Sequence, residues 1–154
     1  MTTIRAYAEC DRSAVMALAD RLTAGAAPWR DRERWLAVVR GWVAESIDAA
    51  DYPLHSLLVA ADDDTDAVIG FVALSTRTHF TGDVHAYIGE LVVDHRAERR
   101  GVGRRLLQAA ECWALEHGFD SITLDTGAAN TAARALYASA GYADEDIRLI
   151  KRLA

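Results

Sequence analysis

Apolar residues recur along this chain in two rhythms, and the switches between them lay out its elements. Residues 2–7 (TTIRAY) alternate polar and apolar with β-branched side chains, the period of a half-buried strand. Val15, Leu18, Ala19 and Leu22 then share one face of a helix that Asp11 or Ser13 can cap. Residues 23–28 (TAGAAP) carry the Gly and Pro of a loop. Trp35, Val38, Val39, Trp42 and Val43 return at helical spacing and predict a second helix over 31–46, its tryptophans packed in the core. Two apolar runs, 56–61 and 68–76, flank the acidic tract Asp62–Asp66, which predicts a hairpin with a solvated tip. Residues 77–85 are polar and read as a loop, and 86–94 (AYIGELVVD) as the next strand. Val102, Leu106, Leu107, Ala110, Ala114 and Leu115 form the stripe of a third helix, with Gly118 at its stop. A strand over 121–126 follows. Asn130 is a good N-cap for a helix holding Ala133, Leu136, Tyr137 and Ala140, which Gly141 ends. Residues 147–153 (IRLIKRL) alternate as a final strand. The order β-α-α-β-β-β-α-β-α-β predicts an α+β domain over residues 2–154, its mixed, mostly antiparallel sheet flanked by about four helices.

Composition narrows the partners. The 154 residues suffice for one core, and the formal net charge of −6 argues against nucleic acid, which rewards a basic face. An acidic protein suits a cationic substrate. Cys10 and Cys112 are far apart, with no metal-ligand spacing, and Cys112 is expected to fill space in the core. The opening MTTIRAYAE lacks the apolar run of a signal peptide, and nowhere do about 18 apolar residues follow one another, so the expected location is cytoplasmic with no membrane contact. The five histidines, His55, His79, His85, His95 and His117, show no HxH or HExxH spacing, so no metal is expected. His79 and His85 lie in the polar loop before the strand at 86–94.

The unit that carries chemistry is a strand, then Arg99-Arg100-Gly101-Val102-Gly103-Arg104, then a helix. A helix's first turn leaves backbone N–H groups without internal partners, and its dipole favours an anion there. Glycines let a ligand approach the backbone, and arginines add planar charged donors. The pattern is neither the P-loop GxxxxGK[ST] nor the dinucleotide fingerprint GxGxxG, since the third residue after Gly103 is Leu106. A phosphate-bearing ligand of another class is indicated.

The run ELVVDHRAERRGVGRRLL followed by NTAARALYASAGY resembles the GNAT superfamily of N-acetyltransferases. The first run is similar to that family's acyl-CoA loop, Q/R-x-x-G-x-G/A after a central strand. The second is similar to its next block, an Asn and then a helix bearing a Tyr. One position departs: the family's leading Q/R falls on Glu98. The resemblance implies the acyl-CoA N-acyltransferase fold, with acetyl-CoA as co-substrate. It implies that Leu91, Val92 and Val93 pair with the pantetheine arm through their backbone. The diphosphate would meet the amides of Arg99, Arg100, Gly101, Val102, Gly103 and Arg104, and Asn130 would contact the cofactor near the pantetheine. It also makes a homodimer an expected assembly, with the apolar second helix as one surface for it.

Amide formation from a thioester needs a neutral amine, donors for the oxyanion and a proton for the leaving thiolate. Glu90, just before Leu91 on the central strand, is the candidate base, and the competing reading has it position the substrate ammonium. Tyr137 is the candidate acid, a phenol able to donate at neutral pH. The N–H of Leu91 is the candidate oxyanion donor. The resemblance implies direct attack in a ternary complex, with a small-molecule primary amine as acceptor. A protein N-terminus or lysine acceptor, a non-catalytic acyl-CoA sensor and a plain structural domain stay open as alternatives.

Overall fold

In the computed structural model, which describes residues 1–153, five strands form one sheet in sequence order, β1-β2-β3-β4-β5. They are β1 (Thr2–Ala6), β2 (Ser56–Asp62), β3 (Val68–Thr78), β4 (Val84–Val93) and β5 (Ile122–Leu124). The first four are joined antiparallel, while β4 and β5 run parallel. Four helices flank the sheet: α1 (Arg12–Leu18), α2 (Arg32–Asp48), α3 (Val102–Glu116) and α4 (Thr131–Ser139).

Two apolar clusters divide the sheet between the helices. On one face Val72, Leu74, Ala86 and Ile88 pack against Val102, Leu106, Leu107, Ala110 and Trp113 of α3. On the other, Phe71, Ala73 and Val92 meet Val15 and Leu18 of α1 and Val43 and Ile47 of α2. Strand alternation sorts these side chains: from Phe71 onward odd residues of β3 go to the α1–α2 face and even ones to the α3 face, while a register shift at Ile69 reverses the order for Val68 and Ile69. Asp11, only 5% exposed, binds the Arg5 guanidinium through both oxygens, at 2.7 and 2.9 Å, and accepts the Ala8 amide, tying β1 to the start of α1.

β4 breaks its own alternation. Ala73 pairs with Glu90 but Leu74 pairs with Ile88, so Gly89 is an extra residue, a β-bulge. A bulge shifts the face of every later side chain. Ala86 and Ile88 point to α3, whereas Val92 points to the α1–α2 layer and Leu91 and Val93 take over the α3 side.

Several expectations needed correction. The final strand over 147–153 is absent: these residues join no ladder, and Ile147, Leu149 and Leu153 are exposed. Alternation alone does not make a strand, because its backbone must pair, and β5 offers an edge of three residues. The first helix ends at Leu18 and continues as a 3₁₀ stretch to Thr23. The loop over 77–85 shrinks because β3 runs to Thr78 and β4 begins at Val84. Cys112 and Leu115 are exposed rather than buried, since they lie opposite the α3 face that holds Leu106 and Ala110. Trp42 and Val38 are also half exposed and not part of the core.

Leu106 is fully buried where α3 crosses the sheet. Leu106→Ala should cost about 2–5 kcal/mol. Urea unfolding should show a lower midpoint with an unchanged slope.

Candidate functional site

The bulge assembles the site. With a regular β4, Glu90 would fall in step with Ala86 and Ile88 and enter the apolar layer under α3. Shifted by Gly89, it faces α2 instead, where the Ser46 hydroxyl donates to its Oε2 at 2.8 Å. Glu90 is 6% exposed and lines a cleft of ≈ 320 Å³ between α2 and the sheet, together with Trp42, Glu45, Ser46, His55 and Tyr87. Burial pushes the Glu90 carboxyl up to about 7, and the negative Glu45 adds to this, while the Ser46 hydrogen bond works the other way. A carboxyl poised there can exchange a proton near neutrality.

The same region has an open backbone edge. β5 pairs with β4 only at Ala86, Tyr87 and Ile88, after which its chain leaves the sheet. From Gly89 to Val93, β4 keeps β3 on one side and, among the described residues, has no strand on the other. An extended ligand can add there as a strand would. Leu91, Val92 and Val93, the residues singled out from sequence, lie on this open stretch.

Past the end of β4 the chain makes a 3₁₀ turn, His95–Ala97, held by the Asp94 carboxylate, which accepts the Arg96 amide and pairs with the Arg96 guanidinium. Those contacts hold Asp94 at about 2, well below the usual carboxylate range. Arg99 and Gly101 both have positive φ, 60° and 79°, and Gly101 forms the N-cap of α3. Left-handed backbone favours glycine, so Gly101 is the natural residue there. Helices α2 and α4 open on capping side chains, Asp31 and Asn130, but α3 has none. The amides of its first turn are therefore left for another acceptor.

The two glycines do different work. An added Cβ at Gly101 would meet only open space, whereas one at Gly103 would sit 3.1 Å from Leu136 on α4. Gly103 lets α4 come close to α3, a packing role that sequence reasoning had assigned to ligand access. Two of the loop's arginines are likewise engaged: Arg100 pairs with Asp62 at 3.1 Å, and Arg104 donates to Ser139 at 2.9 Å. Glu98, which replaces the Q/R of the resembled pattern, is bonded to Arg21 of the 3₁₀ stretch after α1. The pair puts a guanidinium from another element beside the loop.

Asn130 caps α4 through its Oδ1, which accepts the Ala133 amide at 3.2 Å. Its backbone lies against Gly25, where an added Cβ would stand 2.3 Å from the Asn130 Cβ. Tyr137 is half buried on α4, packed at the edge of the α3-side cluster with Tyr142, ring centroids 5.8 Å apart. Burial raises its phenol above the ordinary value. His79 bonds Thr81 at 2.7 Å, and His85 bonds Ser121 at 2.5 Å. Among the described residues, no group of three or more His, Cys, Asp or Glu is arranged to hold a metal ion, and no helix is long and apolar enough to cross a membrane. Sequence reasoning missed Ser46, Glu45 and Trp42 as cleft residues. Their spacing (i, i+3, i+4) was a signal, but the stripe of Val39, Val43 and Ile47 beside them dominated the pattern.

Comparison with known proteins agrees with this architecture. A mycothiol acetyltransferase of Renibacterium salmoninarum is 31% identical over 135 residues, 77% of this chain and 39% of that protein. An aminoglycoside N(6')-acetyltransferase type 1 of Klebsiella aerogenes is 34% identical over 93 residues, 58% of this chain and 60% of that protein. The chain thus spans less than two thirds of these relatives' length. The structure of AAC(6')-Iy in complex with the bisubstrate analog CoA-S-monomethyl-acetylneamine superposes with a TM-score of 0.73 at 18% identity, covering 100% of this chain and 99% of that one, which establishes a shared fold. The model of the acetyltransferase (GNAT) family matches residues 15–142, and the chain belongs to that family.

Proposed function

We propose that this protein transfers the acetyl group of acetyl-CoA to a primary amine of a small molecule, by direct attack in a ternary complex. One observation carries the reading: the edge of β4 left free from Gly89 to Val93 runs from the buried carboxyl of Glu90 toward the uncapped start of α3. An extended thioester carrier fits that path, its pantetheine amides against Leu91, Val92 and Val93. Its diphosphate fits the amides of Arg99, Arg100, Gly101, Val102, Gly103 and Arg104. Asn130 contributes mainly by fixing the start of α4, and so the wall that carries Tyr137.

In this reading Glu90 takes a proton from the acceptor ammonium, directly or through water, leaving a lone pair to attack the carbonyl carbon. The N–H of Leu91 donates to the oxyanion as the tetrahedral centre forms. When the C–S bond breaks, the Tyr137 hydroxyl gives its proton to the departing thiolate. The raised phenol of Tyr137 keeps it protonated and available at neutral pH, and the raised carboxyl of Glu90 makes it a stronger base than an exposed glutamate. The sheet order, the Glu98–Arg21 pair and the family membership all favour a catalytic domain that binds an acyl carrier. Two acetyltransferase relatives act, by their names, on mycothiol and on aminoglycosides, in keeping with small acceptors.

Thiol release from acetyl-CoA on mixing with an amine panel tests the proposal; no release with any amine would end it. Tyr137→Phe should lower kcat roughly 10²–10⁴-fold with the KM for acetyl-CoA nearly unchanged. Equal turnover in that variant would remove Tyr137 from its role.

For Glu90, the rate should rise with pH through about 7 as the carboxyl ionises, and Glu90→Gln should lose that limb. Stability gives an independent check. The folded carboxyl titrates above its unfolded value of 4.5, so between these values the folded state holds more protons and stability falls as pH rises. Wild type should therefore lose stability between about pH 5 and 7 while Glu90→Gln does not, as read by urea midpoints across that range.

A further inference from the structure

The cleft above Glu90 has more negative charge and more exposed aromatic surface than proton transfer alone requires. On α2, Trp42, Glu45, Ser46 and Ala49 follow one another at i, i+3, i+4 and i+7, so they form a second stripe beside the buried Val39, Val43 and Ile47. Ser46 is committed to Glu90. Glu45 is exposed, lines the cleft and forms no ion pair among the described residues. Trp42 leaves 49% of its surface in solvent at the mouth of the same cleft. Tyr87 on β4 stands across the cleft, its ring covered by the Arg77 guanidinium at 3.7 Å, and Arg77 is itself paired with Asp125. Two carboxylates beside the exposed indole of Trp42, with the neighbouring Arg77 already committed to Asp125, make a site that recognises positive charge.

The geometry points to Glu45 and Trp42 as the residues that bind a second positive charge on the acceptor, so that the substrate class is a diamine or polyamine rather than a monoamine; this rests on the acetyl-transfer reading of the cleft. One nitrogen reacts at Glu90. A protonated second nitrogen sits between the Glu45 carboxylate and the indole of Trp42. Neither residue touches the reacting atoms, so both set specificity and neither is catalytic. The arrangement also couples binding to proton transfer. The negative Glu45 helps hold the Glu90 carboxyl high. A cation seated on Glu45 offsets that repulsion and favours ionised Glu90 once the correct acceptor is in place.

The test compares straight-chain diamines with the monoamine of equal length, by calorimetry with coenzyme A present and by turnover with acetyl-CoA. For the best diamine, KM should be at least about tenfold below that of its monoamine, and Glu45→Gln should raise it about tenfold. The same variant should bring the diamine KM up toward that of the monoamine, and the wild-type diamine preference should shrink as salt is added. Trp42→Ala should raise the diamine KM about threefold, with Trp42→Phe restoring most of it. Both side chains are solvent-exposed, so their replacement leaves the core untouched. Acetylation of diamines and monoamines with equal KM, or a diamine preference that survives Glu45→Gln, overturns this inference and leaves acetyl transfer standing. Diamine binding that depends on Glu45 but yields no acetylated product overturns acetyl transfer and supports the charge-recognition site.

Discussion

One residue too many in β4 is the constraint on which the rest of the site depends. The sheet up to Ile88 and the sheet after Gly89 obey opposite parities, and both halves are well packed because α3 covers one face and α1 with α2 the other. A carboxyl in the wrong half would be an uncompensated charge in an apolar layer, a cost of several kcal/mol. In its actual half it meets a hydroxyl and a cleft. The parity change thus converts a residue that the fold could not tolerate into one that it can use, without moving the strand out of the sheet.

The glycine loop at the start of α3 relies on a different physical device, backbone groups left unsatisfied. Two of the three longest helical starts that matter here are closed by Asp31 and Asn130, and the third is kept open. Around that opening most charges are already spoken for: Asp62 holds Arg100, Ser139 holds Arg104, and Glu98 holds Arg21. These contacts fix the loop's shape more than they supply free charge. A glutamate in a position where the family pattern has a long polar or basic side chain is reconciled by the arginine that it recruits from the 3₁₀ stretch.

Much of the fold was legible because periodicity and punctuation agreed. The apolar stripe of α3, the Asn130 cap and the hairpin around Asp62–Asp66 each rest on short-range rules that tertiary packing did not override. Glu90, Tyr137 and the basic glycine loop were legible as candidates, and the structure sets Glu90 in a cleft and the loop at an uncapped helix start. What stayed hidden depends on relations between distant segments. No local rule says that Gly103 is shaped by Leu136, that Glu98 will find Arg21, or that Ser46 will reach Glu90. The tail over 147–153 failed for the complementary reason: its pattern was right for a strand, but pairing is a property of two segments.

Only three rungs join β5 to β4, and Tyr137 hangs from the helix that follows. The strip beside Gly89–Val93 is therefore open along its flank, since no strand among the described residues pairs with that edge of β4. A long, thin molecule can be laid into it sideways, all its contacts closing together, and lifted out the same way. Entry and exit then need no threading past a narrow gate.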